Sequence, residues 1–167
     1  MRVLGVDPGT IRMGFGVVDD GGETPSAIDF GAITASERSP IGERLLLLYQ
    51  RLNEIVRRYH PEVLAVEQPF INKNPRSALA IGRAQAVAIL VAAANGVAVH
   101  EYTPAQVKQR VASYGASSKE QVQEMVRLQL GLTEVPEPDD AADALAIALC
   151  HIGETRFGQL VERQAKG

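Results

Sequence analysis

Three extended runs in the first 35 residues are joined by connections too short to cross a sheet. They are Arg2–Asp7, Met13–Asp19 and Ile28–Ala35, linked by "PGT" and "DGGETPS". Both links are strong turn chemistry. Strands joined this tightly can only pair antiparallel, as a meander. Beyond Ala35 the pattern changes period. "IGERLLLLYQRLNEIVRRYH" places Leu45, Leu48, Leu52, Ile55 and Val56 at helical spacing, and Pro61 stops it. "EVLAVEQ" reads as a buried fourth strand ending near Glu67, and "VAVHEY" as a fifth. Between them a long helix is predicted from about Arg76 to Asn95, closed by Gly96. Strands separated by helices pair parallel through right-handed crossovers. The prediction is an α/β fold: a five-stranded mixed sheet, antiparallel meander plus parallel strands, with helices on both faces.

Further helices are expected after Thr103-Pro104, which reads as N-cap and first helical residue, and after Ser117 or Ser118, with Gly131 as the stop. "TEVPEPDD" is a rigid acidic loop, and a last helix runs from about Asp140 to His151. Residues 1–157 are read as a single domain and 158–167 as a flexible tail. There is no internal repeat.

The charge balance narrows the partners. With 17 basic and 20 acidic residues the formal net charge is −3. A nucleic-acid partner would therefore need a locally basic face. Cys150 is the only cysteine, so no intramolecular disulfide forms, and in "LAIALCHIG" it reads as a buried small hydrophobe. The chain starts directly in a strand pattern with no leader signature. Its longest apolar stretch, Ala84 to Ala94, is too short to span a bilayer and contains Gln85. The expectation is a soluble cytoplasmic protein with no membrane contact.

Four carboxylates stand out. Asp7 ends the first strand at Pro8-Gly9, where it either forms the turn or holds something. Glu67 ends the fourth strand and is either a surface acid before Pro69 or a partner of Asp7. Asp140 could be a helix cap, stabilised by the helix dipole. Asp143 is harder to explain that way, because it lies among Ala141, Ala142, Ala144, Leu145, Ala146 and Ile147. Asp140 and Asp143 are three apart and share a helix face. In open α/β sheets ligands bind outside the carboxyl ends of the strands, where Asp7 and Glu67 are predicted. Unpaired, four converging carboxylates would raise one another's pKa, and a divalent cation would remove that penalty. All-oxygen ligation favours magnesium or manganese over zinc, and two such ions would form a phosphodiester-cleaving site.

"GVDPGTIRMGFGVV", "VLAVEQPF", "YTPAQVKQ" and "DDAADALAIAL" occur in that order over nearly the whole chain. They resemble the RuvC family of bacterial Holliday junction resolvases, within the ribonuclease H-like superfamily. The resemblance implies a ribonuclease H-like fold and a homodimer. It also implies paired magnesium-dependent nicks at symmetric positions of four-way junction DNA, in homologous recombination and repair. It carries the family's acidic tetrad onto Asp7, Glu67, Asp140 and Asp143, with two Mg2+ per subunit and Mn2+ as a substitute. Some relatives place histidine where Asp140 stands, and Asp139 is an extra acid beside it. RuvA and RuvB, the branch-migration proteins, are implied as partners.

Basic residues cluster despite the negative total. Lys73 and Arg76 flank the loop after Glu67, and Arg83 comes two helical turns on. Lys108, Arg110 and Lys119 lie on the helices after the fifth strand. Each is either solvated surface or a phosphate contact; by resemblance, Lys108 and Lys119 match the family's catalytic-cleft lysines. Phe70, in the polar loop "QPFINKN", either caps the core or stacks on a base at the junction centre. Gly14 and Gly16 signal either close approach of metal or DNA, or tight packing. The long helix is apolar nearly all round, and Gly82, Ala86 and Ala93 permit close approach. By resemblance its partner is the same helix of a second subunit.

Three other readings compete. A catalytically silent junction-binding module would show a missing carboxylate, and none is missing. An actin-like ATPase would need two lobes and a second Gly-rich loop. A related nuclease acting on RNA–DNA hybrids or RNA is separated by substrate alone.

Overall fold

Alternation along the first strand decides which way Asp7 faces. In the computed structural model, which describes residues 1–69, 74–113 and 117–165, β1 (Arg2–Asp7) turns Leu4 and Val6 into one core and Val3 into the other. Side chains alternate along a strand, so Gly5 and Asp7 share the face of Val3.

β1 pairs antiparallel with β2 (Arg12–Asp19), and β2 with β3 (Ser26–Thr34). After α1 (Ile41–Tyr59), β4 (Val63–Glu67) pairs parallel with β1. After α2 (Pro75–Ala94), β5 (Ala98–Tyr102) pairs parallel with β4. The sheet order is β3-β2-β1-β4-β5. The meander and both parallel crossovers are those expected, with strand ends shifted by one or two residues. α3 (Pro104–Ala112), α4 (Lys119–Gln129) and α5 (Asp139–Ala165) complete the chain.

The helices start where the sequence places their caps. Thr103 with Gln106, and Ser118 with Gln121, form capping boxes that satisfy the free N–H groups of α3 and α4. Asn74 caps α2, accepting from the backbone of Arg76 and Ser77 at 3.1 and 3.4 Å, with Pro75 next. Gly96 and Gly131 take positive φ after α2 and α4.

Two cores flank the sheet. Leu48, Leu52 and Val56 of α1 and Val87, Ala88 and Val91 of α2 cover Leu4, Val17, Leu64 and Val66. On the other face α3, α4 and α5 cover Val3, Val18 and Ala65. Cys150 is fully buried there, and burial pushes its thiol up to about 12, in keeping with a core residue rather than a nucleophile.

α5 lies directly on the sheet because three glycines make room. A Cβ on Gly5 would stand 1.9 Å from the Ala144 carbonyl oxygen. One on Gly14 would stand 1.9 Å from that of Asp140, and one on Gly16 would meet Leu145 at 2.7 Å. Of the two roles open to Gly14 and Gly16, the structure shows tight packing: a helix fills the space.

Two expectations need correction. α5 does not end near His151 but continues to Ala165, so residues 158–165, expected as a loose tail, are helical. The apolar run stops at Ile152 because the core stops there. The backbone continues without a proline, and Glu154 and Arg156 tie the turns just past Ile152 to Arg110 and Asp20. The second correction concerns α2, which is long and apolar enough by composition to cross a membrane. Part of that apolar surface serves the core, where Ala78, Ala84, Val87, Ala88, Val91 and Ala92 are buried.

Candidate active site

Asp7 and Glu67 stand at the same level on neighbouring parallel strands, each one residue beyond the paired Val6 and Val66. Both face α5. On the other side of β1, Asp7 pairs in register with Gly14, the glycine that seats the Asp140 backbone. One helical turn further along α5 comes Asp143. The glycine trough thus sets the first turn of α5 against the carboxyl ends of β1 and β4, and four carboxylates from three elements share one corner.

Their charges act on one another. Asp7 is pushed up to about 7, first by burial and then by Asp143, Glu67 and Asp140, with Lys119 opposing. Glu67 also rises to about 7, through burial and then Asp143, with Lys108 opposing. Burial raises Asp143 against the pull of Lys119. Asp139 goes the other way: a hydrogen bond from Gln123 and the Lys119 charge hold it below the usual carboxylate range.

Two tethered cations enter this acidic corner. Lys119 Nζ lies 3.1 Å from Asp143 Oδ2 and 3.3 Å from Asp139 Oδ2. Burial disfavours its charge, but Asp143 and Asp139 outweigh that and hold its pKa above the ordinary value. Arg12 Nη1 lies 3.4 Å from Asp140 Oδ2. Sequence reasoning missed Arg12; the available signal was its place across the hairpin, two residues before the glycine opposite Asp7. Lys108 lines, with Glu67, Lys119 and Asp143, a cleft of about 230 Å³ floored by Pro104, Val107, Val122 and Ala146.

A divalent cation suits this donor set. The donors are all carboxylate oxygens, and two of the acids are held near neutrality by burial and mutual repulsion, which a cation relieves. Among the described residues no three such side chains already close on a common point. Asp143 and Asp140 are instead paired with Lys119 and Arg12.

The other expected contacts divide. Arg76 and Arg83 are exposed on α2, Arg76 in its first turn, beside the loop after Glu67. Arg110, two residues from Lys108, is turned to Glu154, which its Nε reaches at 2.9 Å. It lies over the Phe157 ring, not on the cleft. Phe70 and Lys73 lie outside the described residues. On α2, Gly82 is half-buried and Ala86 and Ala93 are exposed, along a stripe with Leu79 (57 % exposed) and Leu90 (59 %).

The family model for crossover junction endodeoxyribonuclease RuvC matches residues 3–151. A crossover junction endodeoxyribonuclease RuvC of Dehalococcoides mccartyi is 49 % identical over 163 residues, covering 98 % of this chain and 99 % of its own. The Thermus thermophilus RuvC structure in complex with Holliday junction substrate superposes with a TM-score of 0.89 at 39 % identity, covering 95 % and 96 % of the two chains. The yeast mitochondrial Holliday junction resolvase shares the fold at a TM-score of 0.66 and 15 % identity, over 91 % of this chain and 79 % of its own.

Proposed function

The chain belongs to the crossover junction endodeoxyribonuclease RuvC family, and from that premise we propose that Asp7, Glu67, Asp140 and Asp143 hold the divalent cations with which it nicks four-way DNA junctions. The nuclease activity is the family's: hydrolysis of phosphodiester bonds to resolve Holliday junctions, in recombination and repair. The observation that carries the assignment of residues is the shared corner, where burial and mutual repulsion push Asp7 and Glu67 up to about 7.

When bound, magnesium ions (or manganese in their place), two per subunit, supply Lewis-acid charge to the attacking water and the leaving 3′ oxygen. The chain's own residues do the rest. Asp7 and Glu67, fixed on adjacent strands, hold position, while Asp140 and Asp143 approach from the helix. Lys108 and Lys119 line the same cleft and bring positive charge to the phosphate that enters it. Phe70, Lys73 and Arg76 come after Glu67 in the chain and serve the DNA flanking the cut.

Two symmetric nicks need two such sites, related by a two-fold axis. The apolar stripe of α2, with Leu79, Ala86, Leu90 and Ala93 exposed, supports a homodimer through this helix, with Gly82 allowing close approach. RuvA and RuvB are its partners on the junction, and the cytoplasm its compartment.

Incubation of the protein with a four-way junction, a linear duplex and an RNA–DNA hybrid, each in magnesium or EDTA, tests this reading. Cleavage of the junction alone, in magnesium alone, is expected. Equal cutting of the hybrid would move the assignment to another nuclease class.

A further inference from the structure

Asp139 belongs to neither end of the sheet, yet both of its oxygens are engaged. Oδ1 accepts a hydrogen bond from Gln123 Nε2 at 3.1 Å, and Oδ2 lies 3.3 Å from Lys119 Nζ. The same ammonium lies 3.1 Å from Asp143 Oδ2. Asp139 and Asp143 are one turn apart on α5, so Lys119 bridges two acids of one helix face. Only Asp143 of this pair faces the acidic corner: it lines the cleft with Glu67 and raises the pKa of Asp7.

The two contacts cannot both persist once a cation occupies the corner. A divalent ion on Asp143 takes the carboxylate that faces Lys119, and the like charges repel. Among the described residues Lys119 is ion-paired only with Asp139 and Asp143, and a lysine with four rotatable bonds that lost both would swing into water. Asp139 prevents that. Its carboxylate is steered by Gln123 of α4, the helix that begins with Lys119 and is fixed by the Ser118 capping box. The berth and the lysine are thus tied to the same two helices, α4 and α5.

We propose that Asp139 is a positioning residue for Lys119, keeping its ammonium at the rim of the cleft when Asp143 turns to a divalent cation. The proposal rests on the metal reading above. Asp139 acts through Lys119 and is not itself a ligand. With Asp139 present, Lys119 shifts its weight from Asp143 to Asp139, and the cation meets little competition. Without Asp139, Lys119 has Asp143 alone and competes for it.

A double-mutant cycle on Mn2+ affinity tests this without any DNA or turnover. Mn2+ binding is measured by electron paramagnetic resonance at pH 8 for wild type, Asp139→Asn, Lys119→Gln and the double variant. Both positions are largely exposed, so all four chains are expected to fold, as near-equal melting would show. Asp139→Asn should weaken Mn2+ about three- to tenfold when Lys119 is present, and less than twofold when Gln stands there. An equal loss in both backgrounds would make Asp139 a ligand or a source of general negative field, and would overturn the proposal. So would no loss in either background. Asp7→Asn, measured alongside, separates this proposal from the metal reading beneath it: Mn2+ bound as tightly by it as by wild type contradicts the metal site itself.

Discussion

Gly14 faces the backbone of Asp140 so closely that a single methyl group would stand 1.9 Å from the Asp140 carbonyl oxygen. That contact joins the strand opposite Asp7 to the first turn of α5. Backbone meets backbone, so no flexible side chain can give way. Gly14→Ala should lift α5 from the sheet, cost about 3 kcal/mol or more, and displace Asp140. Melting would fall by more than about 6 °C, or soluble protein would be lost. A variant that melts like wild type and cuts junctions normally would show that the glycine trough does not place the acids.

Gly42 is the counter-case. It lies in the first turn of α1 with nothing within 4 Å of an added Cβ. Gly42→Ala should stabilise the protein by about 0.5 kcal/mol or slightly more, through helix propensity alone. Denaturant midpoints of the two alanine variants should therefore move in opposite directions.

Much of this architecture was legible because its signals are local. Strand length and turn chemistry gave the meander, and Thr103 and Ser118 marked helix starts through groups that satisfy the backbone within three residues. Asp143 betrayed itself by standing among alanines. What the sequence left open depends on partners far along the chain. A glycine records that a side chain is absent, not what takes its place, so Gly14 and Gly16 were compatible with metal, DNA or a helix. The end of α5 was misplaced because an apolar run measures burial, and the helix outlasts the core by more than three turns. Arg110 looked equivalent to Lys108, but residues two apart on a helix point to different sides, and Glu154 decides its direction. Arg12 was invisible because its pairing with Asp140 spans 128 positions.

Thermal stability should carry the cost of the acidic corner. Asp7 titrates near 7 in the folded chain and at its ordinary 3.8 when unfolded. The folded state therefore holds the proton longer, so its relative stability is complete below about pH 4 and is lost as pH rises through 7. In EDTA at pH 8, Asp7→Asn should be more stable than wild type by on the order of 2 kcal/mol, a few degrees in melting temperature. The difference should close toward pH 4. A variant that melts below wild type at pH 8 would contradict the repulsion inferred here.

Cation binding should show the same protons from the other side. On the proposed assignment a divalent ion displaces those on Asp7 and Glu67, both pushed up to about 7 in its absence. Mn2+ affinity should drop about 10- to 100-fold per pH unit below 7 and level off above 8. Calorimetry in buffers of different ionisation enthalpy would count the released protons. An affinity flat from pH 5.5 to 8 would remove these two acids from the site.

The dimer prediction turns on Ala86, which is exposed in the single chain. Ala86→Glu should leave the fold intact, since the side chain meets no core. Buried at a two-fold interface, the unpaired charge should weaken association at least about a hundredfold. Sedimentation velocity at micromolar concentration is expected to show dimer for wild type and monomer for the variant; an unaltered dimer would exclude this face of α2.

The central claim is that Asp7 serves the chemistry of a junction nuclease while the basic residues serve its grip. Single-turnover cleavage of a four-way junction by Asp7→Asn, measured beside its binding to the same junction, tests that directly. The expected result is cleavage at least about a thousandfold slower, equivalent to roughly 4 kcal/mol of lost transition-state stabilisation, with the binding constant within a fewfold of wild type. Cleavage at a near wild-type rate would contradict it.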